Sequence, residues 1–304
     1  MIPDYQSLML PLLRILSDGT EHGSRDLIEK LAAEFKLTDE ERKELLPSGN
    51  QLLFDNRVSW AITYLKKAGL IDSLRRATFA ITDLGRQTLA QNPERIDTKY
   101  LMQFQAFLDF RSSANITREK DGRNAAESDV QTPEELLDRG YQQMRKALAS
   151  ELLDKVTDLS PAFFERLVVE LLVKMGYGGS IKDAGKAIGR SGDEGIDGMI
   201  KEDKLGLDVI YLQAKRWKPG NVVGRPEIQK FVGALAGQGA KKGIFITTSS
   251  FTKDALEYAP KNETKIVLID GEQLARLMID YSIGCSTHQI YEIKKIDGDY
   301  FEEK

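Results

Sequence analysis

Residues 192–200 read G-D-E-G-I-D-G-M-I and residues 207–217 read L-D-V-I-Y-L-Q-A-K-R-W. The second run has the apolar and β-branched content of a buried strand. The first is a glycine-punctuated turn that delivers Asp197 to the start of the strand before it. Gln213 and Lys215 are two apart, so a strand projects them to one face. An acid, an amide oxygen and an ammonium on paired strands can hold a divalent cation and an attacking water beside a phosphate. This pattern predicts the chemistry of a metal-dependent DNA endonuclease.

The surroundings are consistent with that chemistry. Between Tyr211 and Lys242 seven cations (Lys215, Arg216, Lys218, Arg225, Lys230, Lys241 and Lys242) face Glu227 alone. The chain as a whole carries a net charge of −4, so its positive charge is local, as phosphate contact requires. There are only two histidines, His22 and His288, and one cysteine, Cys285. A finger-type zinc site and a histidine-dependent nuclease are thereby disfavoured, and metal chemistry falls to oxygen ligands, which suit Mg²⁺ or Mn²⁺. A single cysteine fits a reducing, cytoplasmic setting. The start of the chain shows no signal pattern, and no apolar run approaches the roughly 18 residues of a membrane span.

At 304 residues, 41% apolar and 30% charged, the chain has the length of two domains. Residues 1–95 are expected to form one, 159–304 the other, with a helical and polar linker region over 96–158. Within the first, residues 5–17 read as an amphipathic helix containing Pro11, and Ser24 reads as the N-cap of a helix over 25–35. Thr38 and Glu41 form a capping box. Asn56 to Ala68 shows helical spacing at Val58, Trp60, Ala61, Tyr64 and Leu65, and Gly69 ends it. Two short strands around Arg75 and Arg76 follow. Helices followed by a small hairpin make a mainly α winged helix-turn-helix, in which the helix near 54–68 enters a DNA groove and the hairpin touches the backbone. Asn56, Arg57, Trp60, Lys66, Lys67, Arg75 and Arg76 are the candidate DNA contacts there.

Residues 111–132 are polar and nearly free of apolar side chains, and a helix capped by Thr132 starts at Pro133. That helix could couple the domains or form a dimer. From Ser160 onward the pattern is α/β. A helix over Pro161–Met175 precedes the central strands. A helix, the strand G-I-F-I-T-T, a helix, the strand K-I-V-L-I-D and a final helix follow. This order describes a mixed central sheet flanked by helices.

The pieces F-E-R-L-V-V-E-L-L-V-K-M-G-Y, S-G-D-E-G-I-D-G, Y-L-Q-A-K-R-W and K-K-G-I-F-I-T-T-S-S-F-T, together with the N-terminal helices, resemble the Mrr-like restriction endonucleases of the PD-(D/E)xK superfamily. The resemblance covers nearly the whole chain. It implies a restriction-endonuclease-like catalytic domain and type IV-like restriction: cleavage of foreign, typically methylated, double-stranded DNA that leaves 5′-phosphate ends. It makes Asp197 a metal ligand and Lys215 the group that orients or deprotonates the attacking water. Gln213 stands where most of the superfamily has an acid, a variant usual in this branch that supplies one negative charge fewer. Glu165 matches an extra carboxylate near the metal, and Asp193 supports the turn or reaches the metal through water. Arg216, Lys218 and Arg225 would hold the DNA backbone, and Trp217 would stack or pack. Double-strand cleavage implies a dimer in action. A non-catalytic winged-helix regulator and a nuclease of the Holliday-junction resolvase kind are the alternatives.

Overall fold

The computed structural model describes residues 1–75, 77–113, 130–178, 196–203, 206–218, 220–259, 264–294, 296 and 300. The chain divides into two compact units, Met1–Gln142 with Lys294–Lys304, and Gln143–Ile293.

In the first unit α1 (Tyr5–Ile15), α2 (Ser24–Glu34), the short α3 (Asp39–Lys43) and α4 (Leu53–Lys67) precede a hairpin of β2 (Ile71–Arg75) and β3 (Thr78–Ile81). The two-residue β1 (His22–Gly23) pairs antiparallel with β3, giving the strand order β1-β3-β2. Asp4 caps α1, and Pro11 lies within that helix. Gly23, not Ser24, is the N-cap of α2; Ser24 begins the helix, its amide already bonded to the carbonyl of Ala77. The Thr38–Glu41 capping box forms as its spacing predicts, and Gly69 adopts positive φ where α4 stops. Leu8, Leu12 and Leu13 of α1 pack with Leu27, Leu31, Phe54, Val58 and Leu65 in one core. Three further helices, α5 (Asp83–Ala90), α6 (Thr98–Leu101) and α7 (Gln105–Ser113), add Leu101 and Phe107 to it.

The long α8 (Pro133–Asp158) is followed by α9 (Pro161–Lys174), which Ser160 caps. The second unit is then built on a four-stranded sheet, β4 (Gly198–Lys201), β5 (Val209–Lys215), β6 (Lys242–Thr247) and β7 (Lys265–Ile269), in that spatial order. β4 runs antiparallel to β5, and β5, β6 and β7 are parallel, so the sheet is mixed. Helices α10 (Arg225–Gly237), α11 (Lys253–Tyr258) and α12 (Gly271–Asp280) alternate with the strands. Two-residue periodicity sorts β5 cleanly. Ile210 and Leu212 join Phe164, Val168, Leu172 and Leu274 under α9 and α12, whereas Tyr211 packs with Phe231, Leu235 and Phe245 under α10. The centre of the sheet is therefore covered on both faces, which lets β6 be continuously apolar, whereas the edge strand β7 leaves Val267 exposed.

A charge cluster ties β1 to α2. His22 is buried, with Nδ1 2.6 Å from Asp26 Oδ2 and Nε2 3.0 Å from Asp18 Oδ2. The bond to Asp26 leads in raising the imidazole above its usual 6.5, against burial and the Lys30 charge. The Thr20 amide and His22 hold Asp18 down to about 2, and His22 and Lys30 lower Asp26. A histidine with a raised folded value stabilises fully below 6.5, and that contribution fades as pH rises through the folded value. The lowered aspartates stabilise above 3.8 and lose that contribution as pH falls. The stability difference between wild type and His22→Gln is therefore expected to be widest between those two pH values and to narrow above neutrality. Urea unfolding at a series of pH values measures it.

Candidate functional site

Asp197 sits one residue before β4, where that strand parts from β5. Its amide donates to the carbonyl of Leu212 at 2.9 Å, the last ladder bond between the two chains. The next amide of β5 to face the same way, that of Ala214, donates to Asp197 Oδ2 at 2.7 Å. The carboxylate thus takes the place of the departed backbone, at the edge of β5 and within reach of either face of the sheet.

Two charged groups converge on it. Glu165 of α9 lines a small cavity with Asp197, Val168, Val169, Gly198, Leu212 and Ala214. Burial, and then the Asp197 charge, push the Glu165 carboxyl up. Burial likewise raises Asp197, while the Ala214 amide and the Lys215 ammonium pull it down. Burial raises both carboxyls and the Asp197 charge raises Glu165 further, so a cation in the cavity would offset these costs. Gln213 and Lys215 are not among that cavity's walls. They lie on the alternate face of β5 from Leu212 and Ala214, so the four candidate residues straddle the strand edge with Asp197 between them. Gln213 is 5% exposed, and its Oε1 is a buried acceptor with no hydrogen-bond partner among the described residues. A buried amide oxygen without a donor is costly unless something electropositive meets it. Asp197 and Glu165 share one cavity, and two carboxylates suit a hard divalent cation; the Gln213 oxygen, on the other face of β5, would join them only across the strand edge. Among the described residues no group of three or more His, Cys, Asp or Glu side chains is gathered. Asp193 and the turn glycines Gly192 and Gly195 lie outside the described residues.

The flanking cations fall into two kinds. Arg216 is turned inward: it donates to the carbonyl of Thr157, and its Nε is buried. Lys218 and Arg225 are exposed, with the Arg225 guanidinium 4.8 Å from the centre of the Tyr258 ring. Trp217 is half-buried against the Phe231–Phe245 core. Sequence reasoning quoted T-T-S-S without giving it a role; in the structure Thr247 and Thr248 hydrogen-bond to the backbone of Lys215 and Trp217.

In the first unit the start of α8 is seated on α4. Asn56 is buried; its Oδ1 accepts from Thr132 Oγ1 at 2.6 Å and its Nδ2 donates to Gln51. Arg57 forms a two-pronged pair with the buried Glu135, at 2.7 and 3.1 Å, and also donates to the carbonyls of Ile2 and Pro3. Trp60 Nε1 donates to Glu134. Asn56 and Arg57 are therefore internal struts in this arrangement and do not present their side chains to a groove. Lys66 and Lys67 remain exposed, Lys67 lying over the Phe110 ring. Arg75 is exposed and paired with Glu21 at 2.8 Å. Arg76 lies outside the described residues.

Comparison with known proteins agrees with the sequence resemblance. A family model described as restriction endonuclease, the Mrr catalytic domain, matches residues 156–278, and a model of the Mrr N-terminal domain matches residues 5–91. The type IV methyl-directed restriction enzyme EcoKMrr of Escherichia coli (strain K12) is 39% identical over 310 residues, covering 99% of each chain. Two solved structures show partial likeness. The MspJI restriction endonuclease in complex with a 27-mer oligonucleotide is 23% identical with a TM-score of 0.33, over 44% of this chain and 31% of that one. The DNA modification-dependent restriction endonuclease AspBHI is 17% identical with a TM-score of 0.37, over 71% and 56%.

The Arg57–Glu135 pair gives a direct test of the strut. Glu135→Ala leaves a guanidinium without its partner in a largely buried position, at a cost of about 3–5 kcal/mol. Chemical unfolding of the full chain is expected to show that loss. The exposed Arg75–Glu21 pair, removed as Glu21→Ala, should change stability by less than about 1 kcal/mol.

Proposed function

The chain belongs to the Mrr family of restriction endonucleases, and on that premise we propose that it cuts foreign double-stranded DNA carrying modified, methylated bases. Its activity is that of an endodeoxyribonuclease, and enzymes of the family generally use divalent metal ions. No helix among the described residues is long and apolar enough to cross a membrane. Action on incoming DNA in the cytoplasm fits both facts.

The observation that carries the assignment of the site is the convergence on Asp197. One carboxylate closes the β5 ladder, has Glu165 as its neighbour and feels the charge of Lys215. In this reading Asp197, Glu165 and the orphaned Oε1 of Gln213 hold Mg²⁺, or Mn²⁺ in its place. Bound there, the cation would polarise a non-bridging phosphate oxygen and ease ionisation of water. Lys215, on the face it shares with Gln213, orients the attacking water and receives its proton or offsets the charge that grows on phosphorus. The half-buried position of Asp197 fixes its carboxylate by one backbone bond, so it need not reorganise during the reaction. Glu165 would bind the cation as its carboxylate, so metal affinity should fall once the pH is low enough to protonate it. Gln213 contributes no negative charge, which leaves the cation more strongly electrophilic than a third carboxylate would. The family resemblance implies that hydrolysis leaves a 5′-phosphate.

Outside the site, Lys218 and Arg225 are the exposed side chains placed to grip phosphates, and Arg216 supports the strand from behind. In the first unit, read as a winged helix, Lys66, Lys67 and Arg75 are the surface cations offered to the duplex. The base-reading role moves away from Asn56 and Arg57. Cutting both strands calls for two active sites, hence a dimer on DNA.

The decisive experiment compares cleavage of matched methylated and unmethylated plasmids in Mg²⁺ by wild type, Lys215→Ala and Asp197→Asn. The expected result is cleavage of the methylated plasmid only, with each substitution slowing it at least 10²-fold. Equal cutting of both plasmids would sink the dependence on modification. Undiminished cutting by both variants would sink the site.

A further inference from the structure

Lys215 is the last residue of β5, and a lysine there has four flexible methylenes between its backbone and its charge. Its backbone is the only part that the fold can fix tightly, yet the parallel ladder with β6 ends at that very position, opposite Thr247. What continues the hold is a pair of buried hydroxyls. Thr247 and Thr248 are 0% and 3% exposed. Thr247 Oγ1 donates to the Lys215 carbonyl at 2.8 Å, and the Thr248 amide approaches the same oxygen at 3.3 Å. Two residues on, the single hydroxyl of Thr248 accepts from the Trp217 amide at 2.9 Å and donates to the Trp217 carbonyl at 2.7 Å. One hydroxyl thus satisfies both backbone groups of a residue that lies beyond the strand.

The pair is itself braced. Thr247 Oγ1 accepts from the Ser249 amide at 3.2 Å, and the Gly271 amide at the start of α12 donates to the Ser249 carbonyl at 2.8 Å. A Cβ on Gly271 would stand 2.5 Å from the Thr248 carbonyl oxygen, so α12 is pressed against this segment with no room for a side chain. Ser249 Oγ donates onward to the Asn221 carbonyl, carrying the hold into the loop after Trp217.

We propose that Thr247 and Thr248 are positioning residues for the catalytic lysine, fixing the backbone from which Lys215 reaches the scissile phosphate. The proposal rests on the role given to Lys215 above. A valine at either position keeps the shape and β-branching and removes the hydroxyl, so it loosens the strand end without removing any DNA-gripping cation. Displacement of a reacting group by an ångström or less costs about 10- to 100-fold in rate.

The test is full-chain cleavage kinetics on methylated plasmid in Mg²⁺ for Thr248→Val, Thr247→Val, Thr248→Ser, Thr247→Ser and Lys215→Ala, with DNA affinity and thermal unfolding measured in parallel. The valine variants are expected to lose kcat about 10- to 100-fold while KM and DNA affinity stay within about twofold. The serine variants, which keep the hydroxyl, are expected to hold kcat near wild type. Folded valine variants that cut at the wild-type rate, while Lys215→Ala is inactive, would overturn the proposal. So would serine variants that lose tenfold or more, a result readable even where a valine variant does not fold. Cleavage by Lys215→Ala at the wild-type rate would instead remove the premise about the lysine.

Discussion

The hydrogen bond from the Ala214 amide to the Asp197 carboxylate is the contact around which the candidate site of the second unit is arranged. Where β4 leaves β5, one backbone donor of a half-buried strand would otherwise lose its partner, a costly event away from water. The side chain that meets it is held at the sheet edge in a single orientation. Glu165 approaches from the α9 side, and Gln213 and Lys215 flank it on the strand. The fold thus solves a hydrogen-bonding problem with the same group on which the proposed cation site rests.

Much of this was legible in the chain. Apolar periodicity and β-branching located the strands and their flanking helices, and the two-residue spacing of Gln213 and Lys215 put them on one face because strand geometry leaves no alternative. Asp197 could be found because glycines bracket it. Other features depended on what arrives from far away in sequence. Arg216 reads as a surface phosphate clamp, but the carbonyl of Thr157 takes its guanidinium. T-T-S-S reads as the tail of an ordinary strand. Nothing local says that its hydroxyls would serve the backbone 31 residues earlier.

The first unit makes the same point with charge. Counting cations over Asn50–Ala80 finds five, against two acids, which suggests a nucleic-acid face. The structure sorts those cations by partner. Arg57 is taken up by Glu135, 78 positions away, and Arg75 by Glu21, whereas Lys66 and Lys67 stay at the surface. Helical spacing correctly turned Val58, Ala61 and Leu65 to the core. It could not show that the neighbouring face, with Asn56, Arg57 and Trp60, would be covered by the capped start of α8. The Thr132 cap was visible; that its hydroxyl serves Asn56 as well as the helix was not.

The close approach of Gly271 to the Thr248 carbonyl has a practical meaning for protein engineering. A cleavage module cut from this chain and delimited only by its candidate signature, Asp197 to Lys215, would lack α12. The backbone that steadies the signature's last residue is itself wedged by the first residue of α12. A portable module must therefore extend through that helix, and a library that diversifies position 271 would displace the Thr248 backbone while leaving every residue of the signature intact.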